Sequence, residues 1–535
     1  MRLRSLPTLM LVLLVTLAAS PIALAGSMSR DVTGVQWSAV LPEFEATLQE
    51  QIDGDLSRYV IDADFVRATD TDLASISGAL EIDWVNPANE PAEEVLFRLY
   101  ANAPRYREGS IQVADVEIDG VPVEPVFDLD DTLMSLSLTT AIEPGGHATI
   151  TMSWQSVIPD DTISGFGMFN HDTRTDSYTL DHWLPLLAGY DPENGFDQAP
   201  ITINGDPVFS NVAFFEVTMR GLDDLVLAST GVVEQDEVAA GGRTMTIVSG
   251  PVRNFTMAIS ANYEVATGTA GGTEVRSYYL PGHEIRGEAS VEWAIDAIEL
   301  FNDLIGPYPY QQFSIVDAVI GGGAAGIEFP QIVYIASDYY DDPLDDEYLP
   351  HGQEYTLVHE VIHQWFYALV GNNQDRYAFL DESLTNYLSV VYFEKVYDED
   401  VALQQALLNI IAPYVIYLWG MPSGPSVDEP VNTATDAFSS GTAYGVIIYN
   451  KGPLAFQAIR EAIGDEPFFD AIASYFRDQQ LLIAQPDDLE NAFAVEAPAD
   501  LDFEALWQHW IEEANGADDF PPELLDNVLT ALRGG

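Results

Sequence analysis

A change of hydrophobic period near residue 285 divides this chain into two kinds of structure. From about residue 59 to 262 polar and apolar residues mostly alternate, as in 134–138 and 149–154, with Gly- and Pro-containing turns between the runs. A period of two is typical of strands with one buried face. Beyond residue 285 the spacing becomes helical, and the first apolar stripe contains Val291, Ala294, Ile295, Ile298, Phe301 and Ile305. The pattern predicts a multidomain α+β chain.

Chain length and period together set the predicted domain boundaries. The 535 residues exceed what one hydrophobic core normally serves. We expect an N-terminal antiparallel β-sandwich or saddle domain at 56–270 and a mostly helical domain at 271–452, with a strand at about 313–319. Residues 453–535 are predicted to form its helical C-terminal part, and the polar residues 26–55 an irregular leader.

The charge of the chain is strongly negative. It contains 85 acidic and 20 basic residues, a formal net charge of −65. Such a surface repels phosphate backbones, so we expect no nucleic-acid partner. Two interpretations of the acidity stay open, namely an adaptation for solubility and an attraction for cationic peptides.

The N-terminal 25 residues have the pattern of a signal peptide. Arg2 and Arg4 precede an apolar run at about 9–19, and Ala23-Leu24-Ala25 fits a small-x-small cleavage site. This predicts an exported protein that is extracellular, periplasmic or associated with the cell surface. No second run of about 18 uninterrupted apolar residues follows. We therefore expect no stable membrane span in the mature chain, and the oligomeric state is left open.

A five-residue motif, His359-Glu360-Val361-Ile362-His363, carries the chemistry. Residues 355–370 contain no Pro or Gly, so they can form a helix that projects His359 and His363 from one face toward one metal ion. Glu360 is then close enough to take a proton from the water that such a metal activates. Because the chain has no cysteine, every metal ligand must be His, Asp or Glu.

A catalytic zinc needs a third protein ligand. Glu382 lies 19 residues after His363, in a segment that resembles the start of the next helix. An antiparallel helix pair can return this carboxylate to the metal. Asp381 and Asn386 are candidate partners of the imidazole N–H groups, and a surface or capping role stays open for both.

Four segments resemble the aminopeptidase N and leukotriene hydrolase family of zinc metallopeptidases, the gluzincins. They are HEVIHQWF at 359–366 together with the offset of Glu382, GIEFP at 326–330, YNKG at 449–452 and GPYPY at 306–310. The resemblance runs in chain order from about residue 279 to 510, and more faintly into the β domain. It implies a saddle-like β domain on a thermolysin-like catalytic domain.

The resemblance also implies roles for individual residues. One Zn²⁺ per chain is held by His359, His363 and Glu382. Glu328, in the segment that begins at Gly326, binds the free α-amine of a peptide substrate, so that residues are removed one at a time from the N-terminus. Tyr449 donates a hydrogen bond to the oxyanion.

The segment at 326–330 departs from the usual Gly-Ala-Met-Glu-Asn of the family, since Ile327 replaces Met and Phe329 replaces Asn. A Gly-x-Glu-aromatic-Pro segment resembles a bacterial branch of this family. Three alternatives stay open: an endopeptidase or oligopeptidase that ignores the free amine, an epoxide hydrolase side activity, and a non-catalytic peptide-binding relative.

Overall fold

A computed structural model of the chain describes residues 35–52, 54–161, 164–202, 204–205, 208–341, 351–422, 424 and 426–534. The predicted signal peptide and the first part of the predicted leader lie outside the described residues. The described part of the leader contains the helix Pro42–Gln51, so the expectation of an irregular leader is wrong there. Its first turn holds Pro42, Glu43 and Glu45, and both residue types favour that position.

The N-terminal part is built from β-sheets, as the alternating pattern predicts. Its largest sheet has eight strands, in the spatial order Val232–Ala239, Gly242–Val252, Ala213–Arg220, Ser57–Val66, Ser75–Val85, His147–Val157, Ser110–Ile118 and Val121–Pro122. All of its pairs are antiparallel except Ser57–Val66 with Ala213–Arg220, which run parallel. A parallel pair is possible here because the chain between these strands is long enough to cross over.

Smaller sheets complete the β domain. One four-stranded sheet has the order Val226–Ser229, Met257–Ser260, Ser177–Leu180 and Phe169–Asp172, and a second has the order Leu186–Leu187, Ala92–Arg98, Leu133–Ile142 and Val126–Asp128. Tyr190–Asp191 pairs with Gly195–Phe196.

A five-stranded mixed sheet joins the β domain to the helices. Its order is Glu264–Ala270, Thr273–Tyr279, Gln312–Ala318, Ile332–Ala336 and Gly326–Phe329. The predicted division after residue 270 falls between its first two strands, which pair along their whole length. The last of the five, Gly326–Phe329, lies at the sheet margin and is called the edge strand below.

Helices dominate the rest of the chain, as predicted. The longer ones are Glu284–Leu304, Gly352–Ile362, Leu384–Val396, Glu399–Ala406, Ala412–Trp419, Gly452–Ile463, Asp465–Gln479, Pro486–Glu496 and Leu524–Gly534. Shorter helices are Gln374–Tyr377, Gly441–Val446, Phe503–Trp507 and Gly516–Asp519, and π-helical turns lie at Phe379–Ser383, Leu407–Ile411, Ile447–Lys451 and Gln508–Glu512. The predicted stripe on the first long helix is confirmed, because Val291, Ala294, Ile298 and Phe301 are buried.

The continuous helical stretch Glu399–Trp419 has the length and apolar character of a membrane-crossing helix. Buried residues make up 44% of its most apolar window. One such helix is weak evidence, because helices inside a protein core have the same character. Part of this helix packs against the C-terminal helix Leu524–Gly534.

The largest hydrophobic core extends through both the β domain and the helices, from Trp37 to Ile511. Arg253 directly follows a strand of the largest sheet and is 2% exposed. Its side chain reaches from the β domain into the helical part of the protein. Its guanidinium donates to the carbonyl oxygens of Tyr367 (2.7 Å), Leu369 (3.1 Å), Leu482 (2.6 Å) and Ser210 (3.1 Å). Burial lowers the pKa of Arg253 to about 10, which leaves it protonated at neutral pH.

Replacing this buried arginine should destabilise the whole protein. Arg253→Met keeps the length of the side chain but removes four hydrogen bonds to backbone carbonyl oxygens, so we expect a loss of about 3 kcal/mol or more in unfolding free energy. Denaturant unfolding followed by circular dichroism measures the change. Arg477→Met is the control, because the Arg477 side chain lies at the surface, where it bonds to Asp478 and Ser474. Equal losses in the two variants would contradict the role given to Arg253.

A second contact between the β domain and the helical part is sensitive to pH. Asp375 Oδ1 accepts a hydrogen bond from Thr202 Oγ1 of the β domain (3.1 Å). Burial, and then the charge of Asp197, raise the pKa of Asp375 from 3.8 to about 7. Because the folded-state pKa lies above the ordinary value, the folded state loses stability through this group as pH rises from about 4 to 7.

The variant Asp375→Asn keeps the acceptor for Thr202 and removes the ionisation. We expect the melting temperature of Asp375→Asn to exceed that of the parent at pH 8 and to equal it near pH 4. Thermal unfolding of both proteins across this range tests the sign. A difference that is the same at every pH would rule out the titration of Asp375 as its cause.

Candidate metal centre

The two histidines of the motif project from the helix Gly352–Ile362, which is called the metal-ligand helix below. It ends eight residues before the predicted end at Val370, and the residue that caps it, His363, has helical backbone angles (φ −59, ψ −13). A tighter turn follows, because the amides of Gln364 and Trp365 donate to carbonyl oxygens only three residues earlier. Tyr367 then has a φ of 119°. His363 stays on the helical face of His359, and their Nε2 atoms lie 3.2 Å apart.

The third predicted ligand reaches the same point from the next helix. Glu382 lies in the π-helical turn Phe379–Ser383, which leads into Leu384–Val396. Its Oε2 is 3.2 Å from His359 Nε2 and 3.3 Å from His363 Nε2. A π-helical turn is common where a side chain has to be directed into a functional site. His359, His363 and Glu382 are all buried.

The chemistry of these donors fits zinc. His363 Nδ1 lies 3.0 Å from the carbonyl oxygen of Phe366, and an Nδ1–H that donates there leaves a lone pair on Nε2. Two imidazole nitrogens and one carboxylate oxygen, all within 4.8 Å of one another, form the three-ligand set of a catalytic zinc site.

The residues considered as partners of the imidazoles have different roles. The partner of His363 Nδ1 is the backbone of Phe366, whereas Asp381 accepts from the amide of Glu382 (2.8 Å). Burial, and then the charge of Glu382, raise the pKa of Asp381 to about 7. Asn386 interacts with the His359 ring and accepts a hydrogen bond from the hydroxyl of Tyr355 (2.8 Å).

Two further carboxylates face His363. Glu360 and Glu328 are 4% and 5% exposed, and their oxygens lie within 4.8 Å of each other and of a ring nitrogen of His363. Although burial opposes it, the negative charge of Glu328 and the other carboxylates raises the pKa of His363 well above its ordinary value.

The edge strand brings Glu328 to this position and explains why a glycine precedes it. A Cβ at Gly326 would lie 2.7 Å from Cγ and Cδ of Glu360, which is closer than real side chains approach. Gly326 therefore lets the edge strand lie directly against the predicted base. Among the described residues, the strand pairs only with Ile332–Ala336.

Tyr449 completes the cluster from the π-helical turn Ile447–Lys451. Its hydroxyl donates to Glu382 Oε1, the oxygen that does not face the histidines, and its ring centroid is 6.1 Å from that of His359. The structure thus brings together the seven residues predicted to bind metal, bind substrate or take part in catalysis, namely Gly326, Glu328, His359, Glu360, His363, Glu382 and Tyr449. Their roles stay predictions.

Sequence reasoning missed two buried glutamines that hold the edge strand. Gln364 follows the second histidine directly, and its side chain bonds to Phe329 and Gln331. Gln331 occupies a turn with a φ of 68°. The signal in the sequence was Gln364, a glutamine within an otherwise apolar stretch beside the motif. Without knowledge of the fold, this signal is weak.

Comparison with known proteins agrees with this geometry. Residues 291–510 match the Peptidase family M1 domain. Aminopeptidase M1-B of Oryza sativa subsp. japonica is 24% identical over 392 residues, which are 71% of this chain and 43% of that protein. Aminopeptidase M1 of Arabidopsis thaliana is 21% identical over 306 residues, which are 56% of this chain and 34% of that protein. The chain thus spans less than half the length of these curated relatives.

A solved structure shares the fold over most of both chains. The M1 zinc metallopeptidase from Deinococcus radiodurans superposes with a TM-score of 0.57 at 16% identity, covering 86% of this chain and 94% of that one. A mutant of that protein has been solved bound to a Tyr-Ser-Ala substrate, with a similar TM-score of 0.57. These likenesses confirm the predicted fold class, a β domain followed by a mostly helical domain.

Removal of the glutamate ligand should weaken zinc binding. We expect Glu382→Ala to lower zinc affinity by more than about 100-fold. This exceeds the usual effect of replacing a residue that only hydrogen-bonds to a metal ligand. Competition with a chelator measures the affinity, and mass spectrometry measures the zinc content. The control is Glu354→Gln, a buried carboxylate on the metal-ligand helix that is held by Tyr392 and Tyr397. Unchanged zinc affinity in Glu382→Ala would exclude Glu382 as a ligand.

Proposed function

From the match of residues 291–510 to the Peptidase family M1 domain, we propose that this protein is a zinc-dependent aminopeptidase that removes N-terminal residues from peptides. The observation that carries the proposal is the position of Glu328, a buried carboxylate beside the predicted base and the metal-ligand histidines. A carboxylate at this distance suits a substrate whose free ammonium lies next to the bond to be cleaved.

His359, His363 and Glu382 would hold one zinc ion per chain. When bound, zinc supplies Lewis acidity that lowers the pKa of water and polarises a carbonyl group. The remaining steps belong to side chains of this protein.

Glu360 is the general base in this proposal. It is nearly fully buried and its oxygens lie beside His363, so it can take a proton from the attacking water and return it to the leaving amine. Gly326 keeps this carboxylate in contact with the edge strand. A mobile base would lose the orientation on which proton transfer depends.

Glu328 fixes the register of the peptide. The charge-assisted hydrogen bond between a carboxylate and an ammonium group is strong where water is excluded. The unpaired side of the edge strand can bind the backbone of the same peptide as an added strand. Together these contacts place the first peptide bond, and no later one, at the metal.

Tyr449 stabilises the oxyanion in this proposal. Its hydroxyl already lies at the centre, where it donates to Glu382. A small rotation would direct the same donor to an oxyanion on the carbonyl carbon.

We also propose that the protein is exported, on the basis of the signal-peptide pattern at residues 1–25. N-terminal sequencing of the mature protein should begin at Gly26. A mature protein that begins at Met1 would contradict export by this route.

Loss of the base should abolish turnover and leave the metal in place. Glu360→Gln is isosteric, and we expect it to lower kcat by at least about 1,000-fold, since it removes proton transfer at a centre that remains otherwise intact. Peptide hydrolysis and zinc content are measured on the same sample. Near-normal hydrolysis with unchanged zinc would exclude Glu360 as the base.

The free amine is the second requirement to be tested. We expect a peptide with a free N-terminus to be cleaved at least about 100-fold faster than its N-acetylated form, because Glu328 has no ammonium partner in the latter. Product sequencing should show removal of single N-terminal residues, and Glu328→Gln should reduce the preference. Equal cleavage of both peptides would favour an endopeptidase or oligopeptidase.

A further inference from the structure

We propose that Gln331 and Gln364 are positioning residues that fix Glu328 relative to the metal-ligand side chains, and that the β domain takes part in this through Gln331. The inference rests on the proposed aminopeptidase function and adds to it by assigning the contacts that set the register of cleavage.

The turn after Glu328 is short and has an unusual backbone. The edge strand ends at Phe329, and its partner strand begins at Ile332, so that only Pro330 and Gln331 form the turn. Gln331 has a φ of 68°, a conformation in which glycine or asparagine is normally found after proline in such a turn. A glutamine persists in this conformation only where surrounding contacts hold it there.

The metal-ligand helix supplies the first set of contacts. Gln364 is fully buried and follows His363 directly. Its Oε1 accepts from the amide of Gln331 (2.8 Å), and its Nε2 donates to the carbonyl oxygen of Phe329 (3.0 Å). One side-chain amide therefore ties both ends of the turn to the residue beside a metal ligand.

The β domain supplies the second set. Gln331 Oε1 accepts from the amide of Gly231 (2.7 Å), and its Nε2 donates to the carbonyl oxygen of Ser249 (2.7 Å). Thr230 Oγ1 donates to the carbonyl oxygen of Pro330 (3.0 Å). Gln331, whose positive φ is unusual for a residue with a side chain, is thus also the residue whose side chain anchors the turn to the β domain.

These contacts affect the position of Glu328, because the edge strand that carries it is short and lies at the sheet margin. Glu328 is three residues before Gln331, and Ile332–Ala336 is the one neighbour that the strand has in the sheet within the part of the chain that the structure describes. A looser turn would let Glu328 move relative to His363 and Glu360. An ammonium group would then be held in a poorer position for attack at the first peptide bond.

Two variants test the proposal. Gln364→Met removes both bonds of the amide at similar volume, and Gln331→Gly suits the positive φ while removing the contacts with the β domain. In both we expect KM for a free tripeptide to rise at least about tenfold with a smaller fall in kcat, and the rate on the N-acetylated form to change less than about twofold. Because both act on one turn, the loss in the double variant should be smaller than the product of the single losses.

The control is Gln353→Met, a buried glutamine on the same helix that bonds to Ser290. It should keep the parent's preference for the free amine. Zinc content and melting temperature are measured for every variant.

The outcomes separate the two proposals. If the parent prefers the free amine and both variants keep that preference, the positioning role is wrong and the aminopeptidase function stands. If the variants lose zinc or unfold, the glutamines are structural and the positioning role is again wrong. If the parent cleaves free and acetylated peptides equally, the aminopeptidase function falls and the positioning role falls with it.

Discussion

An excess of buried negative charge is the constraint on which this centre depends. Glu328, Glu360, Asp381 and Glu382 are buried around two imidazole rings. Carboxylates held this close in a medium of low dielectric repel one another, and burial raises the pKa of Asp381 accordingly. A divalent cation held by the two histidines and Glu382 would balance much of this charge, and the ammonium group of a peptide substrate would balance more. The same arrangement that is unfavourable for the empty protein therefore favours a metal and a cationic ligand.

Holding these groups together requires three parts of the chain to meet. The metal-ligand helix provides two predicted ligands and the predicted base, the π-helical turn before the next helix provides Glu382, and the edge strand provides Glu328. Glycine at 326 permits the strand to touch the base, and glutamines at 331 and 364 hold the turn that follows. Arg253 fixes the backbone just after the second histidine to the β domain. The positions of the predicted site residues thus depend on contacts from residues of both domains.

The sequence predicted the parts of this centre whose chemistry depends on local spacing. His359, Glu360 and His363 follow from the helical repeat, and Glu382 follows from its offset in an antiparallel helix pair. The metal-ligand helix is shorter than predicted, and the backbone beyond it is bound at Tyr367 by Arg253, which lies 110 residues before His363 in the sequence. The helix at Pro42–Gln51 was missed because its sequence is polar and its hydrophobic pattern weak. Gln331 could not be identified as a turn residue, since its positive φ is maintained by tertiary contacts alone.

The continuous core from Trp37 to Ile511 has a consequence for how the protein loses its structure. Two domains with separate cores can melt independently, whereas domains that share one core gain cooperativity from it. A heating scan should therefore give one endotherm rather than two. Limited proteolysis at a surface loop should leave the fragments associated, and a catalytic half expressed without the β domain would expose the apolar surface that the sheets now cover.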